Sequence, residues 1–489
     1  MQHNEHYQPK SRTTPLPLFD HPYYINIDDE LRDEDLQKDE FSEGKALVVE
    51  MTKHAWKGYR QFGWDSDEVK PLSKMPLNMF GKNTLLLTLV DSLDTLMVMG
   101  LKEELAEAHE KLKELNFDQP LIISLFETNI RVLGGLLSAH ALSKDELYKE
   151  KAIELGQKFI AAFESRDNVT HIFPHNWLNL MNQSYQTPAE RQSVGLAQVG
   201  TFSLEFGALS DLKGDEIYRK KAMSIMAKIF EMKCKHEGLY PTAINPKLIL
   251  QEGSTISLGA DGDSFYEYLL KYWLQSGKTD ETHLRLYQQA VCGIKKYLIK
   301  KSGNYKFLVK LSQERQNSEM EHLTCFAPGM LALGVFHNAT DTPEEDLQLA
   351  RDLVESCYMS YRMQPTGLGP ERFSSDENDL FRAVAGQEYW AMRPKVIESL
   401  FVLYRVTGDA KYRRWGYQIA VSIDRRCRAK DGGFHGLKNI ETGEPKDHQE
   451  SFFLAETLKY LFLLFSSPKV LPLDQWVFTT EAHPLPIKV

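Results

Sequence analysis

The sequence predicts an all-α fold, a closed ring of helical hairpins or α/α toroid, and three observations carry that reading. Helical hydrophobic periodicity dominates from residue 44 to 465, and strand-like alternation is scarce. One helical phrase recurs with the same internal layout. Its copies stand about 65 residues apart, or at multiples of that, unlike the short strict periods of tetratricopeptide or ankyrin solenoids. Long, uneven spacing with large loops suits a ring whose loops gather at its ends.

The first forty residues, "MQHNEHYQPKSRTTPLPLFDHPYYINIDDELRDEDLQKDE", hold no apolar run and supply neither a signal peptide nor an anchor. Residues 1–43 are expected to be a polar, mobile tail. No Pro/Gly-rich linker interrupts the chain between 44 and 480, so residues 44–489 are expected to form one large domain. Within it the phrase reads "LSKDELYKEKAIEL", "LSDLKGDEIYRKKAMSI" and "RVTGDAKYRRWGYQI", with "DTPEEDLQLARDLVESC" as a looser version. A polar turn ends in Asp, a Tyr follows three later, and a small residue sits four beyond it: Asp145/Tyr148/Ala152, Asp215/Tyr218/Ala222, Asp409/Tyr412/Gly416. Asp suits the start of a helix, the Tyr packs over the turn, and the small residue admits a neighbouring helix. The longest apolar stretch, "YLFLLF", is too short to span a bilayer.

Net charge is −10 and the basic residues are dispersed, which excludes a nucleic-acid stripe. Five cysteines, an odd number and widely spread, exclude a disulfide-dense scaffold and leave the compartment open. Sequons at Asn168, Asn182 and Asn338 are no more than a chain of 489 residues collects by chance. No G-x-S-x-G elbow, P-loop, HExxH or paired CxxC is present. His322 and Cys325 stand close in "MEHLTCF", and a disulfide or core cysteine is a better reading there than a Cys/His catalytic pair.

What remains is a set of carboxylates inside apolar segments. Glu127 and Arg131 head "FETNIRVLGGLLSAHAL", a run otherwise fit for a buried helix, and burying such a pair demands partners. Asp263 lies just ahead of a helix for which Ser264 and Glu267 are expected to form a capping box. Glu371 sits in the loop "PTGLGPERF". Pro394 suits the first helical position of "MRPKVIESLFVLYRVTG", with Lys395 in the first turn and Glu398 one turn in. Glu456 lies in a nearly all-apolar helix, and Thr480 and Glu481 close the chain in "VFTTEAHPLPI". Taken singly, each acid reads as a cap or a surface charge. Together they imply a polar, acid-lined cavity, suited either to glycoside hydrolysis or to a calcium site with hard oxygen ligands.

These motifs also identify a family. "KHAWKGY", "DSLDTLMVMGL", "FETNIRVLGGLLSAH", "GTFSLEF", "LGADGDSFYEYLLK", "HLTCF", "GLGPE", "YWAMRPKVIES", "SFFLAETLKYLFLLF" and "TTEAHPLPI", in that order from about residue 44 to 487, resemble glycoside hydrolase family 47. This is the family of class I α-1,2-mannosidases that trim asparagine-linked glycans. The resemblance implies an (α/α)7 barrel, inversion at the anomeric carbon, and a Ca²⁺ held near the barrel's closed end. It implies that Glu127 is the general acid, that Arg131 steadies it or the bound sugar, and that Asp263 and Glu371 are further active-site acids. Thr480 matches the calcium ligand, through carbonyl and hydroxyl. Glu205, His322, Arg393, Glu398, Phe452, Glu456 and Glu481 match positions that hold the terminal mannose or waters around the metal. Cys325 and Cys357 match a disulfide common in the family.

The pattern breaks at one position that matters. The family reads R-P-E, its glutamate serving as the base that activates water, and here the same place reads Arg393-Pro394-Lys395. Asp261 also stands where relatives carry arginine or leucine, at a position linked to branch preference. The function implied is a Ca²⁺-dependent inverting glycosidase acting on high-mannose N-glycans, as a monomer, in the secretory pathway. Two rivals stand beside it: a relative that binds mannose with little or no cleavage, and a helical scaffold for a protein partner. The absent signal leaves the cytoplasm open as the compartment.

Overall fold

The structure, a computed structural model, describes residues 42–164, 172–186, 193–245 and 254–488. The tail expected over 1–43 lies outside these residues except for Ser42 and Glu43, which open the first helix, so the boundary expected at 44 falls inside that helix.

The architecture is an (α/α)7 barrel. An inner ring runs through Leu87–Met99, 125–143, Ser203–Lys213, Asp263–Gln275, Ala327–Phe336, Lys395–Thr407 and 453–464. Each of these packs on the next, and the last returns to Leu87–Met99, which closes the ring. An outer ring is formed by Lys102–Leu112, Glu146–Phe159, Ile217–Phe230, Glu281–Tyr297, Pro343–Arg362, Lys411–Cys427 and Ser42–Phe62. The two layers differ in sequence as burial requires. Asp263–Gln275 is buried almost all round, whereas Glu281–Tyr297 buries one stripe, including Leu286, Tyr287, Ala290, Val291 and Ile294.

Inner helices turn sharply into outer ones through residues in the left-handed conformation. Gly100, Gly214 and Gly408 end their helices this way, and Lys144 does so without being glycine. The recurring phrase belongs to these turns. Asp145 accepts from Leu147 N, Asp215 from Ile217 N and Asp409 from Lys411 N, starting the outer helices. Tyr148, Tyr218 and Tyr412 are buried over the turns. Gly416 shows why the last position is small: a Cβ there would lie 2.3 Å from Leu464 Cδ2 of the inner ring.

The opposite connections, from outer helix to next inner helix, are long and carry short β-hairpins such as Ile299–Ser302 with Tyr305–Leu308. The inner helices therefore begin on the side of the large loops. A final antiparallel pair, Trp476–Phe478 with Pro484–Pro486, packs against inner helices and brings its tip, residues 479–483, to the barrel's interior. Cys325 and Cys357 are bonded. Among the described residues, no helix is long and apolar enough to cross a membrane.

Candidate active site

The starts of the inner helices supply most of the chemistry. Ser124 accepts from Glu127 N and begins a helix that passes at once into a π-helical segment, Asn129–Leu133. The wider π turn carries Arg131, and π segments of this kind often mark functional positions. Arg131 Nε donates to Glu127 Oε2 at 2.9 Å, its Nη1 donates to Ser451 Oγ at 2.9 Å, and the same Nη1 lies 3.3 Å from Glu481 Oε1. Its guanidinium stands over the Phe452 ring. The buried arginine thus has three polar partners and an aromatic face. Glu127 keeps a side chain about one-third exposed (32%), so it faces the opening.

A second π segment, Phe453–Leu458, carries Glu456. Across from it, Lys395 is the first residue of its helix, with Pro394 as the cap. Lys395 Nζ donates to Glu456 Oε2 at 3.0 Å and to the Thr480 carbonyl oxygen at 2.8 Å, and lies 3.3 Å from Glu398 Oε2. Lys271 reaches the other oxygen of Glu398 at 3.5 Å and also binds Glu267. Thr480 donates its N–H to Tyr268, and its hydroxyl faces the Glu267 carboxylate. The floor of the cavity is therefore a buried alternation of carboxylates and lysines, with the Thr480 turn laid across it.

The expected capping box at Ser264 and Glu267 does not form. Gly262 precedes the helix without a side-chain cap, Ser264 Oγ pairs with Thr201 Oγ1 at 2.8 Å, and Glu267 is claimed by Lys271. Asp263 starts the helix, with its Oδ1 accepting from Ser264 N. Burial pushes its carboxyl up to about 7. Glu205 is buried with Tyr268 donating to its Oε1 at 2.6 Å, and burial pushes it, too, up to about 7. Glu371 accepts from Arg393 Nε at 2.7 Å, and its carbonyl accepts from His322 N. His322 is neutral, because burial lowers it to about 3, and its Nε2 meets Tyr361 Oη at 2.6 Å.

For Lys395, burial alone would favour the neutral amine. The charges of Glu398 and Glu456 overcome this and hold it well above the usual lysine range. It is an ammonium at every working pH.

Two clusters near the site, one fully buried and one partly, were not picked out as functional residues in the sequence. His483 sits with Nδ1 2.8 Å from Asp94 Oδ2 and Nε2 3.1 Å from Asp91 Oδ1. Lys459 Nζ lies 2.7 Å from Asp94 Oδ1 and donates to the Ala482 carbonyl at 2.8 Å. All four side chains are fully buried, so this quartet fixes the tip that presents Thr480 and Glu481. Two Asp three apart inside "DSLDTLMVMGL", and one Lys inside an apolar run, were the available signals.

The second cluster is Glu68, His448 and Glu450, whose ligand atoms lie close enough together to hold a metal ion. Here they form a carboxylate–imidazolium–carboxylate bridge, at 2.6 Å from Glu68 and 3.1 Å from Glu450. Burial would lower His448, but its bonds to Glu450 and Glu68 raise it to about 9. A metal ion at this cluster would first have to displace a ring proton.

The family model described as glycosyl hydrolase family 47 matches residues 51–487. The chain is 41% identical over 455 residues to mannosyl-oligosaccharide alpha-1,2-mannosidase IA of Drosophila melanogaster, covering 91% of this chain and 68% of the relative. It is 41% identical over 453 residues to the endoplasmic reticulum mannosyl-oligosaccharide 1,2-alpha-mannosidase of Homo sapiens, covering 90% of this chain and 63% of that one. Among solved structures it superposes on alpha-1,2-mannosidase from Trichoderma reesei with a TM-score of 0.83 and 25% identity, covering 91% of this chain and 99% of that chain.

Proposed function

The chain belongs to glycosyl hydrolase family 47, a metal-dependent α-1,2-mannosidase family, and from that premise we propose that it binds the terminal α-1,2-linked mannose of high-mannose N-glycans and hydrolyses it slowly, with inversion. Residues 44–489 act as one catalytic unit, as a monomer.

In this reading Glu127 is the general acid, turned to the opening and held in orientation by Arg131. Asp263, protonated up to about 7, is a further proton carrier. Glu371, anchored by Arg393, positions the sugar. Glu205, His322, Phe452, Glu398, Glu456 and Glu481 line the pocket, which is polar where hydroxyls would bind and aromatic at Phe452.

The observation that carries the slow turnover is Lys395 at the base position. An ammonium has no lone pair with which to take a proton from water. The two nearest carboxylates are already engaged, Glu456 by Lys395 and Glu398 by both Lys271 and Lys395. Thr480 does not fit calcium here, because its carbonyl already accepts from the Lys395 ammonium, whose charge would stand against a dication bound there. No step of the proposed chemistry runs through a metal.

A secretory compartment is supported by the Cys325–Cys357 bond and by the printed name of the human relative. The sequon residues Asn182 and Asn338 are exposed, whereas Asn168 lies outside the described residues. The second reading, binding with no turnover at all, is favoured by the same ammonium.

Incubation with a Man9 glycan tests the proposal, with bound glycan and released mannose measured in parallel. Saturable binding with slow release is expected. Turnover at the rate of active relatives overturns it, and so does absence of glycan binding.

A further inference from the structure

The environment of Lys395 accounts for more than a missing base. An ammonium carries three protons, and three oxygens surround this one: the Thr480 carbonyl at 2.8 Å, Glu456 Oε2 at 3.0 Å and Glu398 Oε2 at 3.3 Å. These come from three separate elements, the C-terminal hairpin tip, the π segment and the inner helix. The side chain ties all three together at the floor of the cavity.

The charge count is equally specific. A carboxylate with a bound Ca²⁺ carries a net charge of plus one, and a lysine carries plus one alone. A lysine in place of the family's glutamate therefore preserves the field at the floor only if the dication is absent. With a dication present the same floor would hold two adjacent cations, and the Thr480 carbonyl that would face the calcium already accepts from Lys395. Lys271 holds Glu267 and Glu398 from the other side, so each acid around Lys395 has an ammonium within reach.

We propose that the Lys395 ammonium is a built-in replacement for the divalent cation at this position, so that the fold and the glycan pocket of this chain are independent of calcium. The inference concerns the metal and not the sugar, so it stands or falls separately from mannose binding.

The test uses the full chain, stripped with a chelator, and Ca²⁺ alone as the probe. Thermal melts in excess chelator and in millimolar Ca²⁺ are expected to coincide, and calorimetric titration is expected to show no saturable binding. Lys395→Glu is expected to bind one Ca²⁺ and to melt several degrees higher with calcium than with chelator. Stoichiometric calcium binding by the unaltered chain that persists in His448→Gln, and so lies away from the Glu68/His448/Glu450 cluster, overturns the proposal. Binding abolished by His448→Gln supports it, because the metal then sits outside the floor. If Lys395→Glu fails to fold, the unaltered chain alone decides. A folded Lys395→Glu chain indifferent to calcium overturns it as well.

Discussion

Lys395 Nζ donates to Glu456 Oε2 at 3.0 Å, joining the starts of two neighbouring inner helices across 61 residues of sequence. Both groups are buried, and the carbonyl of Thr480 shares the same ammonium. Removing one member of such a set leaves the others unpaired.

Lys395→Met therefore leaves Glu398 and Glu456 facing each other, with Lys271 still paired to Glu398. The expected loss of stability is about 3–5 kcal/mol, the usual cost of breaking a buried pair from one side. Adding Glu456→Gln to Lys395→Met recovers part of it. Denaturant melts of the two variants check both statements, and a loss below about 1 kcal/mol for Lys395→Met would contradict the network.

Glu127→Gln separates binding from chemistry. The amide keeps the shape and can still pair with Arg131, and the side chain is exposed enough that stability should barely change. Residual mannose release is expected to fall by about 10²-fold or more, the usual worth of a general acid, with glycan affinity retained. Equal loss of affinity and release would make Glu127 a binding residue only.

Much of this was legible in the sequence, for identifiable reasons. Asp145, Asp215 and Asp409 recur because each hairpin needs the same turn, so the ring of hairpins follows from local chemistry. Glu127, Glu398 and Glu456 stood out because acids inside apolar runs violate the burial pattern. Asp94, Lys459 and His483 meet only in three dimensions, so no spacing reveals that they neutralise one another. The two π segments were also invisible, because a π turn places Arg131 and Glu456 without changing the hydrophobic period. The capping box failed at Glu267 because tertiary pairing with Lys271 outweighed a local cap.

Stability should peak on the acid side of neutrality. His448, raised to about 9, is protonated in the folded chain and not in the unfolded one between about 6.5 and 9. Its contribution is complete below about 6.5 and is lost as pH rises through 9. Glu205 and Asp263, raised to about 7 by burial, act in the same direction from about 4 upward, since the folded state again binds more protons. Glu450, where pairing with His448 overcomes burial, is depressed to about 2 and gives stability that is lost only as pH falls towards 2. Thermal melts from pH 4 to 9 should decline above about pH 5, and His448→Gln should flatten the limb above about 6.5. A curve rising to pH 8 would contradict the assignment.

The Cys325–Cys357 bond closes a loop across a separation of 32 residues. In the chain-entropy account such a closure is worth about 3–4 kcal/mol at 25 °C. Reduction, or Cys357→Ser, should lower the denaturation midpoint accordingly, and peptide mapping without reduction should recover this pair. A pairing of Cys325 with Cys234, Cys292 or Cys427 would contradict the structure.

Restoring the carboxylate is the decisive substitution for activity. Lys395 is the first residue of its helix, where the dipole favours an anion over a cation, so a glutamate suits the local backbone better. At the same site a carboxylate can accept a proton from water, which the ammonium cannot. The change also places a third acid beside Glu398 and Glu456, and like charges at that distance need a new cation to hold them. With calcium supplied, Lys395→Glu should release mannose from a Man9 glycan about 10²–10⁴-fold faster than the unaltered chain, the range expected of a general base. Without calcium the gain should be small and the fold weakened, because the acids repel one another. Released mannose measured with calcium and with chelator separates the two effects. If the variant folds, takes up calcium and still hydrolyses no faster, some other feature of the pocket limits turnover and the base assignment at this position is wrong.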